Sequence, residues 1–181
     1  YRRDLLSRLH IPFTTASPGV DEQPLSGESS IETARRLALA KAESVRGNFP
    51  VHLIVGSDQV AVCEGTRLDK PMAHEKAVLQ LRHVSARTVV FHTAVALLNA
   101  DTGRIQAEIV PTEVKFRQLD DATIERYLRA EPAYDCAGSA KAESLGITLI
   151  ESIQSTDPTA LIGLPLIALT EMFREENLII P

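Results

Sequence analysis

The most constraining feature of the sequence is the apolar run TVVFHTAVALLNA at residues 88–100. Its composition favours a β-strand, but it is too apolar for a strand that keeps one face in water. The turn residues Asp101, Thr102 and Gly103 follow it, and a second extended segment comes next at residues 104–118. This pattern predicts a long hairpin, and other elements of the chain must cover it.

Helical patterns are predicted on both sides of this hairpin along the chain. The predicted helices cover residues 1–11, 30–49, 74–84, 120–132 and 165–177. Two shorter segments are predicted as strands, at residues 53–57 and 146–152, and the first of them ends directly before Asp58. The fold class predicted from the pattern is therefore mixed α/β.

Length and composition set the limits on what this chain can be. A chain of 181 residues with 44% hydrophobic content can build a real core as a single domain. No apolar run approaches the roughly 20 residues of a membrane span, and no signal-peptide pattern opens the chain. We therefore expect a cytoplasmic protein that does not enter a membrane. The net charge of -5 argues against a surface that coats nucleic acid.

Neither the cysteines nor the common sequence motifs explain the function of this chain. Cys63 and Cys136 show no C-x-x-C spacing, and we expect both to be small buried residues rather than zinc ligands or a disulfide. The phosphate-binding and hydrolase motifs G-x-x-x-x-G-K-[ST], G-x-G-x-x-G, H-E-x-x-H and G-x-S-x-G are absent from the sequence. The sequence therefore does not favour the common nucleotide-binding and hydrolase folds.

Two carboxylates and two lysines stand where a core would not require them. Asp58 follows a predicted strand, and Glu22 lies in a polar loop. Lys41 falls on a largely apolar helix, and Lys70 precedes a proline. Taken singly, each has an ordinary role, and a lone aspartate after a strand more often caps a turn than takes part in catalysis. Taken together, they suit a divalent metal and a polyphosphate that share one cleft.

A series of short segments, in this order and spacing, resembles the Maf family of nucleoside triphosphate pyrophosphatases across essentially the whole chain. The segments are YRRDLLSRL, VDE, LALAKA, GSDQV, DKP, VKFR, CAGSAKAESLGI and ALIGLPL, with a Tyr and a Glu-Pro pair at Y...EP. Within the family the sequence is most similar to the YceF-type branch, whose members hydrolyse 7-methyl-GTP to 7-methyl-GMP and diphosphate.

The resemblance implies an architecture and a set of ligands. It implies a Maf/inosine-triphosphatase-like α/β fold, an elongated mixed sheet flanked by helices with a nucleotide cleft between two lobes. Residues 1–181 would form a single domain of this type. A divalent metal cation (Mg, Mn or Co), a modified nucleoside triphosphate substrate and a possible homodimer are also implied.

The family's catalytic residues carry over by position. The resemblance makes Asp58 the general base and Glu22 a second acidic residue that shares the metal with it. It makes Lys41 and Lys70 the catalytic lysines. The Arg2–Arg3 pair matches a segment in which one arginine holds phosphate.

Three further positions assign the chain to its branch. Where the branch that cleaves dTTP and UTP typically has Arg, Thr and Gln, this chain has Tyr1, Gln59 and Glu143. An aromatic ring can stack on a positively charged 7-methylguanine. A carboxylate can accept hydrogen bonds from the ring N–H and the amine of guanine, whereas pyrimidine carbonyls would repel it. These residues are therefore expected to form a pocket for a charged purine.

The sequence also departs from the family pattern. The family's first strand and its Ser-x-Ser-Pro run are missing from the chain, which begins inside that motif. Asp69 replaces the glycine that commonly precedes the Lys-Pro pair, and its charge could weaken phosphate binding by Lys70. Two alternatives stay open: a dTTP/UTP pyrophosphatase of the same family, and a non-catalytic nucleotide-binding regulator of cell division.

Overall fold

A computed structural model describes residues 1–180 and confirms the mixed α/β fold. The helices are α1 (Arg2–Ser7), α2 (Ser30–Ser44), α3 (His74–Val84), α4 (Asp121–Ala130) and α5 (Leu166–Glu175). The strands are β1 (Leu53–Cys63), β2 (Thr66–Leu68), β3 (Thr88–Asn99), β4 (Ile105–Phe116) and β5 (Ile150–Ser155). Within the described residues, no helix is both long and apolar enough to span a membrane.

The strands form one sheet with the order β2-β1-β3-β4-β5. β1 pairs with β2 in antiparallel fashion, and so does β4 with β5. The predicted hairpin is present as β3 and β4, which are neighbours in the sheet and are joined by a turn at residues 100–104. In that turn the Gly103 amide donates to the Asn99 carbonyl over 2.8 Å.

The chain divides into two compact units. The first unit comprises Tyr1–Gln59, His92–Val110 and Thr156–Pro181. The second unit comprises Val60–Phe91 and Pro111–Ser155. The single domain expected from the sequence stays a prediction.

In the first unit, helices cover both faces of β3. Leu97 belongs to an apolar cluster with Leu5 of α1 and with Leu169 and Phe173 of α5. The next residue, Leu98, belongs to a different cluster that includes Ala42 of α2 and Ile54 of β1. Because successive side chains of a strand point to opposite faces, the two clusters lie on the two sides of β3. This explains why the run 88–100 has no polar alternation.

Gly56 lets helix α2 approach strand β1 closely. A Cβ at this position would clash with the backbone carbonyl oxygen of Ala38 and would stand 2.8 Å from the backbone nitrogen of Ala42. Side chains two residues apart on a strand point the same way, so the side chain of Asp58 also faces α2. The glycine therefore brings a helix backbone against the strand, next to the carboxylate.

Local sequence explains where the helices begin. Ser29 and Glu32 form a capping box at the start of α2, in which each side chain accepts from the backbone nitrogen of the other. Asp120 caps α4 by accepting from the Thr123 amide over 2.7 Å. Pro165 immediately precedes α5, where a missing N–H costs nothing.

In the second unit, α3 and α4 lie against each other and are joined by polar contacts. Arg82 of α3 donates to Asp121 over 2.8 Å. The His74 ring contacts Glu125 at 3.2 Å and the Tyr134 hydroxyl at 2.9 Å. His74 is therefore occupied in holding the two helices together.

Two predicted strands are wrong in their bounds. The first strand does not end before Asp58, because β1 continues to Cys63 with Val60, Ala61 and Cys63 buried. The segment predicted as a strand at 146–152 begins as a 3-10 helix at Leu145–Leu149, and β5 starts only at Ile150. The short strand β2 has no counterpart among the predicted elements.

Candidate active site

The carboxylate of Asp58 lies in the middle of strand β1 and is bonded to a lysine from α2. The Nζ atom of Lys41 lies 2.7 Å from the Asp58 Oδ1 atom. The two side chains are only 13% and 11% exposed, respectively. A buried charge in a strand is tolerated only with a partner, and the close contact of α2 at Gly56 supplies it. The strand therefore carries a charged pair where its sequence predicted an end.

A second carboxylate reaches the same lysine from the loop between α1 and α2. The Oε1 atom of Glu22 lies 2.5 Å from the Lys41 Nζ atom, and the Glu22 side chain is 57% exposed. We call Lys41, Asp58 and Glu22 the lysine–carboxylate cluster. Three of the residues predicted for catalysis are thus in direct contact within the first unit.

Burial makes Asp58 a stronger base than an ordinary aspartate. Loss of solvent raises the pKa of Asp58, and the hydrogen bond and charge of Lys41 and the charge of Arg2 offset this only in part. The negative charge of Glu22 adds to the increase in the pKa. Carboxylates whose pKa is raised in this way are common among catalytic bases, because they bind a proton more readily near neutral pH.

Arg2 is the arginine of the N-terminal pair that faces this cluster. Its Nε atom donates to the Gly163 carbonyl over 2.8 Å. Burial lowers the pKa of Arg2, while the charges of Asp58 and Glu22 act in the opposite direction. Arg3 instead pairs with Asp4 at 3.2 Å, and both of those side chains are about 70% exposed. The geometry therefore favours Arg2 as the arginine of the site.

Backbone carbonyls of a turn at residues 157–163 hold the neighbours of Asp58. The Ser57 hydroxyl donates to the Gly163 carbonyl at 2.9 Å, the same oxygen that Arg2 contacts. The side-chain nitrogen of Gln59, Nε2, donates to the carbonyls of Ala160 and Leu161 at 3.0 and 3.1 Å. Gly163 has φ of +114°, a conformation that favours glycine. The turn therefore fixes the strand on both sides of Asp58.

Asp157 anchors this turn, and its role was not predicted from the sequence. Its side chain is buried, and its two oxygens accept from the Thr159 hydroxyl at 2.7 Å and from the Ile167 amide at 2.6 Å. The second bond satisfies a free amide in the first turn of α5. An Asp-Pro-Thr run shortly before a helix was the available signal.

Two of the predicted site residues, Lys70 and Glu143, belong to the second unit. Lys70 is exposed, and its charge contributes to lowering the pKa of Asp135. Asp69, whose charge was expected to disturb Lys70, pairs with Arg67 at 2.9 Å. Its negative charge is therefore partly neutralised by a neighbour. Glu143 lies exposed in a loop at residues 141–146, the last two of which begin the 3-10 helix Leu145–Leu149.

Tyr1 and Gln59, which were predicted to help set specificity, both lie in the first unit. The Tyr1 side chain is 56% exposed, and its carbonyl accepts from the Leu5 amide at 2.9 Å, in the first turn of α1. Gln59 also donates to the Thr93 hydroxyl at 2.8 Å, so its amide nitrogen is engaged with protein groups.

The predicted metal ligands Asp58 and Glu22 come together, but only as a pair. Among residues 1–180 there is no group of three or more His, Cys, Asp or Glu side chains placed to hold a metal ion. Both carboxylates bond the same lysine nitrogen, which means that two hard oxygen ligands converge on one cationic atom. Any metal held by these two carboxylates would need further ligands from water or from a bound phosphate.

Comparison with known proteins covers nearly the whole chain. A family model described as Maf-like protein matches residues 1–176. A protein named 7-methyl-GTP pyrophosphatase from Polaromonas sp. strain JS666 is 56% identical over 174 residues, which is 96% of this chain and 80% of that protein. Proteins with the same name from Pseudomonas aeruginosa strain PAO1 and Aromatoleum aromaticum strain EbN1 are 51% and 53% identical over 181 residues. These cover all of this chain and 94% and 93% of the relatives.

Proposed function

The chain belongs to the Maf-like family, and from this premise we propose that it is a nucleoside triphosphate pyrophosphatase. We propose further that it hydrolyses 7-methyl-GTP to 7-methyl-GMP and diphosphate. The shared name of the relatives, at 51–56% identity over almost the full chain, supports this substrate. The observation that carries the chemistry is the buried pair formed by Asp58, in the middle of β1, and Lys41 of α2.

Asp58 is assigned the role of general base. It takes a proton from a water molecule while the water oxygen forms a new bond to the α-phosphorus. The bond between the α-phosphorus and the oxygen that bridges to the β-phosphoryl group breaks, and diphosphate leaves. The raised pKa of Asp58 supports this role, because a base with a higher pKa has a larger driving force for accepting the proton.

Lys41, Lys70 and Arg2 are assigned to the phosphate groups. Charge builds up on the phosphoryl oxygens as the bond to the leaving group breaks, and fixed cations nearby lower the energy of that state. The Lys41 ammonium is already held by two carboxylates, so it needs little reorganisation. The bond from Arg2 to Gly163 holds its guanidinium in the same unit.

Magnesium, manganese or cobalt is proposed as the cofactor, held by Asp58 and Glu22. The donor atoms suit these ions, because carboxylate oxygen is their preferred ligand, but an ion held by Asp58 and Glu22 would have to bind beside the Lys41 ammonium that both carboxylates contact. When bound, such an ion adds positive charge that stabilises the charge developing on the phosphoryl oxygens. Location in the cytoplasm and a homodimer, both expected from the sequence, stay predictions.

Base recognition is assigned to Tyr1, Gln59 and Glu143. Glu143 would accept hydrogen bonds from the ring N–H and the amine of guanine, and Tyr1 would stack on the methylated, positively charged ring. A pyrimidine offers carbonyl oxygens to the same carboxylate and would be repelled. The combination therefore favours a methylated purine over dTTP or UTP.

Diphosphate release from a panel of nucleotides tests this function. Purified protein would be assayed with 7-methyl-GTP, GTP, dTTP, UTP and CTP, each with magnesium, manganese and cobalt. We expect 7-methyl-GTP to have the highest kcat/KM. Preference for dTTP or UTP would contradict the proposed recognition of 7-methylguanine, but it would be consistent with the proposed pyrophosphatase reaction. If no diphosphate is released from any nucleotide with any of the metals, the proposed enzymatic activity is wrong and a non-catalytic regulator is favoured.

A further inference from the structure

The loop that carries Glu143 is folded tightly on itself. Within residues 141–146, the Ser144 amide donates to the Lys141 carbonyl at 3.0 Å. A Cβ on Gly146 would stand 2.6 Å from the carbonyl oxygen of Lys141 and 2.9 Å from its carbonyl carbon. Only glycine can bring the two ends of the loop this close. The backbone on either side of Glu143 is therefore closely constrained.

Two side chains from one turn of chain at the end of α4 hold both ends of this loop. The Lys141 amide donates to the Tyr127 hydroxyl at 3.2 Å. The Gly146 amide donates to the Glu131 Oε2 atom at 3.1 Å. The Tyr127 hydroxyl in turn donates to the same Glu131 oxygen at 3.1 Å, which links the two anchors. We call Tyr127 and Glu131 the loop clamp.

The Glu131 carboxylate is the centre of this arrangement. It also accepts hydrogen bonds from the Ser144 side chain and from the Leu145 backbone. Burial acts to raise the pKa of Glu131, but these bonds and those from Tyr127 and Gly146 outweigh it, so the pKa is lowered. Glu131 is thus an ionised acceptor whose hydrogen bonds come largely from the loop.

Tyr127 is suited to its place in the clamp. The side chain is only 4% exposed, and burial raises its pKa, which keeps the phenol protonated and able to donate to Glu131. Neither Tyr127 nor Glu131 has a part in the chemistry assigned to the lysine–carboxylate cluster. The Y...EP segment that helped to identify the family is formed by these two residues and Pro132, and it has no other role in the proposed function.

We propose that Tyr127 and Glu131 are positioning residues for specificity, which hold the 141–146 loop so that Glu143 meets the purine base in a fixed orientation. This inference rests on the proposed function, in which Glu143 reads guanine. A carboxylate that is already oriented loses less entropy when it binds the base. Its loss of position weakens base recognition and leaves the proton transfer at Asp58 untouched.

The test is a double-mutant cycle read out as substrate selectivity. The kcat/KM values for 7-methyl-GTP and for UTP would be measured for wild type, Glu131→Gln, Glu143→Gln and the double variant. We expect Glu131→Gln to lower the ratio of the two values by about 10-fold. In the Glu143→Gln background the same change should alter the ratio by less than about 2-fold, because contacting or coupled residues are not additive.

Glu125→Gln is the matched control, since Glu125 is a glutamate of α4, less than two turns before Glu131, and bonds His74 instead of the loop. It should leave the selectivity ratio unchanged. Tyr127→Phe is the milder second variant, which keeps the ring and removes the hydroxyl, and it should lower the ratio by about 3-fold. If Glu131→Gln does not fold, Tyr127→Phe takes its place in the cycle with Glu143→Gln.

The outcomes separate this inference from the proposed function. A fall in the ratio that is equally large with and without Glu143 would overturn the positioning role. So would an equal loss of kcat/KM for both substrates at an unchanged ratio, which is the mark of a purely structural residue. Wild-type protein that cleaves no nucleotide would overturn the proposed function itself.

Discussion

Each of the two units contains a lysine paired with an aspartate, and the two pairs differ in their burial. In the first unit, Lys41 and Asp58 are 2.7 Å apart and their side chains are 13% and 11% exposed. In the second unit, Lys141 and Asp135 are 3.0 Å apart, with the lysine 18% and the aspartate 61% exposed. The distances are similar, but only the first carboxylate has been withdrawn from water.

Because the two aspartates differ in burial, their pKa values are shifted in opposite directions. Burial is the largest influence on Asp58 and raises its pKa despite the lysine. The hydrogen bond from Lys141 is the largest influence on Asp135, and its pKa is lowered. The Lys141–Asp135 pair thus favours the ionised acid, whereas burial makes Asp58 bind a proton more readily than an ordinary aspartate does. A carboxylate with a raised pKa is common at catalytic sites, which supports the role proposed for the Lys41–Asp58 pair.

Replacing each lysine in turn should show the largest difference between the two pairs. Lys41→Met removes a cation from the lysine–carboxylate cluster, and we expect kcat/KM to fall by about 10²- to 10³-fold. Lys141→Met, the matched change in the other pair, should lower it by less than about 5-fold, since exposed pairs contribute little. Steady-state diphosphate release measures both. Equal losses would show that the two pairs do not differ in function.

Moving α2 should have the next largest effect. Gly56→Ala places a methyl group against the backbone of α2, and we expect a loss of about 1–3 kcal/mol in the free energy of unfolding. Because Lys41 lies on that helix, activity should fall as well. Gly47→Ala is the control, since nothing lies within 4 Å of its added carbon. Its effect on the free energy of unfolding should stay below about 1 kcal/mol.

The two aspartates should also differ in how they affect stability as pH changes. A raised pKa in the folded state means that stability from Asp58 declines as pH rises above the ordinary aspartate value. A lowered pKa means that stability from Asp135 is present above that value and is lost as pH falls through the folded one.

Thermal unfolding with a chelator present tests this prediction. The Tm of wild type minus that of Asp58→Asn should decrease with rising pH. The corresponding difference for Asp135→Asn should increase, although by well under about 1 kcal/mol of stability, because Asp135 is exposed. Slopes of the same sign would contradict the contrast between the pairs.

Much of the fold could be predicted from local sequence because local chemistry decides it. Helix α3 has the predicted bounds, and the capping residues Asp120 and Pro165 mark the starts of α4 and α5. The course of β1 past Asp58 could not be predicted, because a charged residue argues against a buried strand. Its partner, Lys41, comes from a helix 17 residues earlier in the chain.

The candidate site was predictable in its residue types but not in its contacts. The family resemblance pointed to Asp58, Glu22 and Lys41, and these three are in contact in the structure. Asp157 was missed because its function is to hold backbone amides, which leaves no motif of charged residues. The role of Glu131 was likewise hidden, since its partners are mostly backbone groups of a loop.

Separate measurement of binding and turnover in Asp58→Asn tests most directly whether the buried pair of Asp58 and Lys41 is the catalytic centre. Calorimetry would give the affinity for 7-methyl-GTP, and single-turnover diphosphate release would give the rate, with Asp135→Asn as the matched control. We predict that Asp58→Asn binds the nucleotide and releases diphosphate about 10²- to 10⁴-fold more slowly, while Asp135→Asn stays close to wild type. Turnover by Asp58→Asn at the wild-type rate would contradict the assignment of Asp58 as the general base.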